Sequence, residues 1–305
     1  MKVAILGAGA LGSVIGGLMA EQGIDVCLLD VNQAHIDAIN ANGLQLDTPE
    51  ASRRIAIAAM RPEDCPKDID LIILLTKIFH TEAALASVSH VIDAGACVLT
   101  IQNGLGNAER VAKVVPEGQI LFGSTMIPGG FVAPGHVSSQ AQSWTKFKPL
   151  LDTNIALAED IGAALGAVGF AYAADADHHI WQKAAFNCAM NATCGLIAGP
   201  VGAISAKPEG VDLVYAIADE VVAVALAKGI KIAYAPVHAH LDVALAEHTK
   251  HKPSMLQDLE AGRGTEIEAL CAEVARQAKG VNIAVPLNSA LATLITLKAA
   301  HGTGA

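Results

Sequence analysis

Residues 3–20 run for eighteen positions without a charge behind Lys2, and five of them are glycine, at positions 7, 9, 12, 16 and 17. An apolar stretch of that length imitates a secretory signal or a short membrane anchor. Its glycines fit a strand, a tight turn and a helix far better than a lipid-facing helix. Gly7-Ala8-Gly9-Ala10-Leu11-Gly12 follows an apolar strand pattern and opens a helical one, the context in which Gly-x-Gly-x-x-Gly holds a dinucleotide. The first glycine makes the turn, the second lets backbone approach a pyrophosphate, and the third lets helix pack on strand. Gly7, Ala8, Gly9, Ala10, Leu11 and Gly12 are thus the expected cofactor-binding turn, with the anion at the helix N-terminus. No other segment is long and apolar enough to span a bilayer, so a soluble, cytoplasmic protein with no targeting signal and no membrane partner is expected.

Asp30 ends the second apolar run, eighteen residues after Gly12. A carboxylate there would accept both ribose hydroxyls of the adenosine moiety and repel a 2′-phosphate. Val31, Asn32 and Gln33 follow and supply no arginine, so the residues favour NAD(H) over NADP(H). A solvated or helix-capping aspartate is the structural alternative.

Short apolar runs at 3–6, 26–29, 55–58, 71–75, 98–101 and 120–122 read as buried strands, with helical spacing at 12–22, 33–41, 82–92 and 107–115. Val, Ile and Leu without polar alternation are what a parallel sheet covered on both faces requires. The expected class is α/β, a Rossmann-type doubly wound parallel sheet. Residues 131–150 carry Pro134, Gly135, Pro149 and many small polar side chains and read as loops with one short strand, before a last strand at 168–173. After Asp175 the texture becomes long Ala- and Val-rich helical stretches broken by prolines. A dinucleotide-binding domain over 1–173 and a helical substrate and dimerisation domain over 174–305 are therefore expected.

With 52% of its 305 residues hydrophobic and 16% charged, the chain can bury enough surface to offset its ordering entropy, which excludes disorder. The formal net charge of −10 argues against a general affinity for nucleic acid. Six cysteines form no Cys-x-x-Cys pair or regular framework, so reduced thiols are expected. Where charges are this scarce, one inside an apolar run is informative.

Residues 180–191 hold such a charge. They are apolar except at Gln182, Lys183, Asn187 and Asn191. The last three, spaced i, i+4 and i+8, form one stripe across about 80° and roughly 12 Å of helix. Asparagine is a poor helix-interior residue, and burying an ammonium with two amides is costly unless they face a polar ligand or a wet cleft. Lys183 is then a candidate general acid with its pKa lowered by apolar neighbours, and Asn187 and Asn191 are candidate substrate ligands. The alternative is a solvent-facing stripe on an amphipathic helix.

Further motifs complete a pattern: Thr76-Lys77, Gln102-Asn103-Gly104, Trp181-x-Lys183, Ser254-Met255-Leu256-Gln257-Asp258, Gly262-Arg263-x-Thr265-Glu266-Ile267 and Val285-Pro286-x-Asn288. With the glycine turn, they resemble the ketopantoate reductase (2-dehydropantoate 2-reductase) family over nearly the whole chain. The resemblance implies a homodimeric oxidoreductase of pantothenate biosynthesis. It would transfer hydride from a reduced nicotinamide to a 2-oxo acid, 2-dehydropantoate giving (R)-pantoate. It implies Lys183 as general acid with Glu266 in the catalytic set, and Asn187, Asn191, Ser254 and Glu266 shaping and binding the substrate. Lys77 and Asn103 would line the cleft beside the nicotinamide and substrate.

Two departures matter. Asp30 resembles the NAD-dependent minority of a family that more often uses NADPH. Residues 138–144, Ser-Ser-Gln-Ala-Gln-Ser-Trp, lack the family's glycine-rich hairpin, which leaves open a D-2-hydroxy acid dehydrogenase of the D-mandelate type. A dinucleotide-sensing protein without catalysis is the reading from another class, and the complete set of proton-transfer residues argues against it. Ser254 with Gln257, and Thr265 with Glu268, each fit a capping box and so have a purely structural reading. Arg263 reads as a surface or hinge residue. His238, His240, His248 and His251, and His178-His179, lack ligand spacing, so no metal is expected. Cys188 and Cys194 read as core.

Overall fold

The computed structural model of the chain describes residues 1–140 and 144–302. They divide into two units, one within residues 1–102 and 107–176, the other within 103–106 and 177–302.

In the first unit, β1 (Lys2–Leu6), the helix α1 (Ala10–Glu21), β2 (Asp25–Leu29) and the helix α2 (Gln33–Asn42) lead to the short strands β3 (Leu44–Asp47), β4 (Ser52–Ile55) and β5 (Ala58–Met60). Then come β6 (Leu71–Leu74), the helices α3 (Thr81–Ser87) and α4 (Ser89–Ile92), β7 (Cys97–Thr100), α5 (Asn107–Val111) and β8 (Ile120–Thr125). The strands β9 (Gly130–Ala133), β10 (His136–Ser138) and β11 (Thr145–Pro149), the helix α6 (Ile155–Ala164) and β12 (Phe170–Tyr172) complete it. The main sheet has the order β12-β11-β8-β7-β6-β1-β2-β5 and is parallel from β8 to β5. Its inner strands are apolar throughout because both faces are covered. Val3 and Ile5 join the core under α1 and α2, while Ala4 and Leu6 join the core under α3, α4 and α5.

The register places the site. Leu6 lies opposite both Leu29 and Leu74, and Leu74 opposite Thr100. The carboxyl ends of β1, β2, β6 and β7 therefore meet at one edge, with the chain reversing direction of travel at β1, where such sheets bind ligands.

Several local expectations change. The sheet is not wholly parallel, since β11 runs antiparallel to β8. Residues 55–58 are no single strand: Ile55 pairs with Leu44 in a second sheet of order β4-β3-β10-β9, and Ala58 pairs with Cys27 in the main one. Ile55 and Ile57 are apolar because they cover α1 at Gly17 and Gly16, where a Cβ would lie 3.1 and 3.5 Å from their Cδ1 atoms. Residues 131–150 hold three strands rather than one. β9 is short and largely exposed, and β10 is a three-residue strand that pairs with distant β3, so little local pattern marks them. β11 did carry a signal, the alternation Thr145, Phe147, Pro149 inward and Lys146, Lys148 outward. Ala141, Gln142 and Ser143 lie outside the described residues. The expected helix at 82–92 breaks at Val88, that at 107–115 stops at Val111, and the run at 168–173 yields β12 only from Phe170.

The second unit is helical, with α7 (Ala176–Ile197), α8 (Val201–Ser205), α9 (Pro208–Ala227), α10 (Tyr234–Glu247), α11 (Ser254–Glu260), α12 (Cys271–Val281) and α13 (Pro286–Gly302). Its core joins Trp181, Ala185, Cys188 and Met190 of α7 to Val221, Leu241, Val274 and Ile295. Residues 103–106 belong here because Leu105 enters that core and its N–H donates to the Ala269 carbonyl at 2.7 Å. Among the described residues no helix is long and apolar enough to cross a membrane.

Candidate active site

In the first unit the glycine turn has the form its sequence requires. Gly7 sits at φ +101°, and its N–H and that of Ala8 donate to the Leu29 carbonyl at 2.9 and 3.1 Å. A Cβ at Gly12 would lie 2.1 Å from the Gly7 carbonyl oxygen, so only glycine lets α1 start so close to β1. At Gly9 a Cβ would meet nothing within 4 Å, which suits the approach of a bulky pyrophosphate to the backbone. The first turn of α1 has neither a side-chain cap nor an acidic residue. Its amide donors thus remain for an anion. The turn fits a dinucleotide.

Asp30 is partly buried at the end of β2, and its Oδ1 accepts from the Asn32 N–H at 2.8 Å. The capping of α2 falls instead to Asn32, whose Oδ1 accepts from the His35 N–H at 3.3 Å. This removes the capping reading of Asp30. Sequence reasoning missed Arg61, which follows β5 and donates from Nη1 to the Val31 carbonyl at 2.6 Å. No arginine follows Asp30 in sequence, yet sheet pairing brings one to its neighbour, and only the β2–β5 register could have revealed it.

Lys77 is partly buried and follows Thr76 in the loop after β6. The buried Gln102 side chain donates to the Thr76 carbonyl at 2.7 Å and to Thr81 Oγ1 at 3.0 Å, and accepts from Thr100 Oγ1 at 3.0 Å. That amide ties the backbone just before Lys77 to the end of β7.

In the second unit, Asn103 Nδ2 donates to Glu266 Oε2 at 3.4 Å. Glu266 is buried, and its charge acts on Lys183 of α7. Burial lowers the Lys183 pKa to about 8, and Glu266 opposes that fall. Glu266, far from Lys183 in sequence, thus acts on its ammonium. Asn187 and Asn191 are 7% and 8% exposed, which overturns the reading of the stripe as a solvent face. Ser254 is exposed at the start of α11, whose N-cap is Pro253 with no side-chain cap. Its neighbour Met255 packs at Gly195, one turn beyond Asn191. No side chain caps the turn at residues 267–269 either, and its N-cap is Glu266. Neither capping box forms, so Ser254 and Thr265 lose that structural account.

Arg263 donates to Asp258 Oδ1 at 2.9 Å, and its backbone N–H to the Asp258 carbonyl. It closes the turn after α11. His238 bonds Asp219, and His178 the Lys231 carbonyl. Among the described residues no group of three or more His, Cys, Asp or Glu is arranged to hold a metal. All six cysteines are buried free thiols.

A doubly wound sheet with this glycine turn, and a helical unit carrying a lysine of lowered pKa beside a buried glutamate, define a nicotinamide-dependent oxidoreductase. Sequence models of the ketopantoate reductase PanE/ApbA family match residues 3–152, and those of its C-terminal part residues 175–299. The 2-dehydropantoate 2-reductase of Halobacterium salinarum is 31% identical over 305 residues, covering 99% of this chain and all of that one. Among solved structures, a ternary complex of D-mandelate dehydrogenase with NADH and anilino(oxo)acetate superposes with a TM-score of 0.92 at 27% identity, covering 99% of both chains. The 2-dehydropantoate 2-reductase of Geobacter metallireducens gives 0.90 at 29% identity, covering 97% of this chain and 99% of that one. The chain belongs to the ketopantoate reductase PanE/ApbA family. Its chemistry is that of the family, NAD(P)H-dependent reduction of a 2-oxo acid to a D-2-hydroxy acid.

Proposed function

We propose that this chain reduces 2-dehydropantoate to (R)-pantoate with NADH, using Lys183 as general acid. The observation that carries the reading is the Lys183 ammonium, brought by burial to a pKa of about 8 with Glu266 beside it. A reduced nicotinamide, when bound, supplies the hydride to the carbonyl carbon. Lys183 Nζ gives its proton to the carbonyl oxygen as negative charge develops there. Glu266 favours the protonated form of that lysine near neutral pH, and Asn103 holds the Glu266 carboxylate. Asn187, Asn191 and Ser254 bind the polar groups of the acid. Gly7 to Gly12 cradle the pyrophosphate, Asp30 takes the adenosine ribose, and Lys77 and Asn103 lie beside the nicotinamide.

A second reading has a specific support. Asp30 disfavours a 2′-phosphate, and the NADH-bound D-mandelate dehydrogenase is among the similar structures. On that reading the substrate is an aromatic or branched 2-oxo acid. The two separate by following NADH and NADPH oxidation with 2-dehydropantoate, phenylglyoxylate and 3-methyl-2-oxobutanoate. The highest kcat/KM on 2-dehydropantoate with NADH supports the first reading, and on phenylglyoxylate the second. Cofactor binding without turnover of any acid would leave a dinucleotide sensor. We also propose a homodimer, following the family resemblance, and a monomer by sedimentation at assay concentration would refute it.

A further inference from the structure

A buried polar chain links the glycine turn to the hairpin of β9 and β10, both in the first unit. His35 on α2 is 1% exposed and Ser13 on α1 is fully buried. The Gly135 N–H lies 2.9 Å from His35 Nδ1, Nε2 lies 3.0 Å from Ser13 Oγ, and Oγ lies 2.7 Å from the Ala8 carbonyl oxygen.

One proton arrangement satisfies all three contacts. A backbone amide can only donate, so Nδ1 holds a lone pair. A carbonyl can only accept, so the Ser13 hydroxyl hydrogen points at Ala8. Ser13 Oγ must then accept from Nε2–H. His35 is therefore the neutral Nε2–H tautomer, and burial, which lowers its pKa against the opposing pull of Asp30 and the Ala8 carbonyl, favours that form. A second proton would set an Nδ1–H against the Gly135 N–H.

The hairpin is seated on both helices that follow the turn. A Cβ at Gly129 would lie 2.8 Å from Leu11 Cα, and one at Gly135 would lie 2.9 Å from the Ala38 Cβ. Phe131 brings its ring to 5.2 Å from that of His35.

The Ala8 carbonyl and the Gly9 N–H belong to one planar trans peptide and point to opposite sides of it. Pinning the carbonyl oxygen through Ser13 therefore aims the N–H of the middle glycine the other way. We infer that His35 is a positioning residue for the dinucleotide: through Ser13 and Ala8 it orients the Gly9 N–H toward the pyrophosphate and couples that donor to the hairpin. This rests on the proposed binding of NADH at Gly7–Gly12, and it assigns the hairpin a share in cofactor affinity.

The two bonds of His35 can be cut separately. In H35Q the side-chain amide reaches the Nε2 position and keeps the bond to Ser13. H35N keeps only an acceptor near the Nδ1 position, for Gly135. S13A removes a single buried hydroxyl. NADH titration by fluorescence, kcat with a turned-over 2-oxo acid, and Tm are measured on each. S13A and H35N should weaken NADH binding about tenfold, the effect of one buried polar group left without its partner, with kcat at saturating NADH changed less than about twofold. H35Q, which gives up the Gly135 bond alone, should weaken NADH binding less than S13A does, and wild-type affinity in H35Q would overturn the share assigned to the hairpin. Wild-type affinity in S13A, or losses in H35N and H35Q that merely follow Tm, would overturn the inference while leaving the cofactor site in place. If the wild type binds neither NADH nor NADPH, the cofactor reading fails and the positioning role falls with it. Should H35N not fold, S13A against wild type decides alone.

Discussion

Replacing Lys183 with methionine keeps a long unbranched side chain on α7 and removes the proton donor. Loss of a general acid costs roughly 10²–10⁴-fold in rate, so Lys183→Met should lower kcat by that factor, with NADH still bound. The wild type should lose activity in the reductive direction as pH rises through about 8, about tenfold for each further pH unit, because only the ammonium can donate. Lys183→Arg should keep the charge and abolish that decline, at a low kcat, since a guanidinium does not release its proton.

Stability follows from the same shift. The fall from 10.5 to about 8 corresponds to about 3 kcal/mol, and solvent screening at a partly exposed side chain cuts this to roughly 1–2 kcal/mol. Below pH 8 both folded and unfolded chains carry the proton, and the buried ammonium opposes folding in full. Between about 8 and 10.5 the unfolded chain binds more protons, so stability rises with pH. Urea titrations across that window should show the rise in wild type and its loss in Lys183→Met. Steady-state reduction from pH 6 to 10 and those titrations check both. A Lys183→Met enzyme with wild-type kcat, or a wild-type decline only near pH 10.5, would refute the role given to burial.

Glu266→Gln should move the alkaline fall in reduction to lower pH, because Glu266 raises the Lys183 pKa, and should lower kcat/KM by roughly tenfold or more through a lost charge-assisted bond; a pH–rate profile reads both. Asp30→Ser should shift the ratio of kcat/KM values toward NADPH by about tenfold, the equivalent of 1.4 kcal/mol, with Arg61 close by; an unchanged ratio would remove Asp30 from selectivity. Gly12→Ala puts a Cβ 2.1 Å from the Gly7 carbonyl and should cost about 1–3 kcal/mol of stability along with NADH affinity, measured by thermal unfolding and cofactor titration.

Where a role depends on local pattern, the sequence was enough. The apolar strands at 3–6, 26–29, 71–75 and 98–101, the glycine turn after the first, and the stripe Lys183, Asn187, Asn191 could all be read from period and turn chemistry. Those signals lie within one element, where a side chain's face follows from its position along the chain. The same locality misled at Ser254 and Thr265, whose spacing matched a capping box that neither forms. It also misled at 55–58, where one apolar run serves two sheets.

Residue types, their periods and the fingerprint were thus determined by the sequence alone. Tertiary structure decided which carboxylate faces Lys183, that Arg61 arrives beside Val31, that Asn32 rather than Asp30 caps α2, and that His35 joins the hairpin to the cofactor turn. Each of these is a contact or an exclusion set by strand order and helix packing. Many distant pairings suit the same local pattern, and the closed core and satisfied buried polar groups of the folded chain select among them.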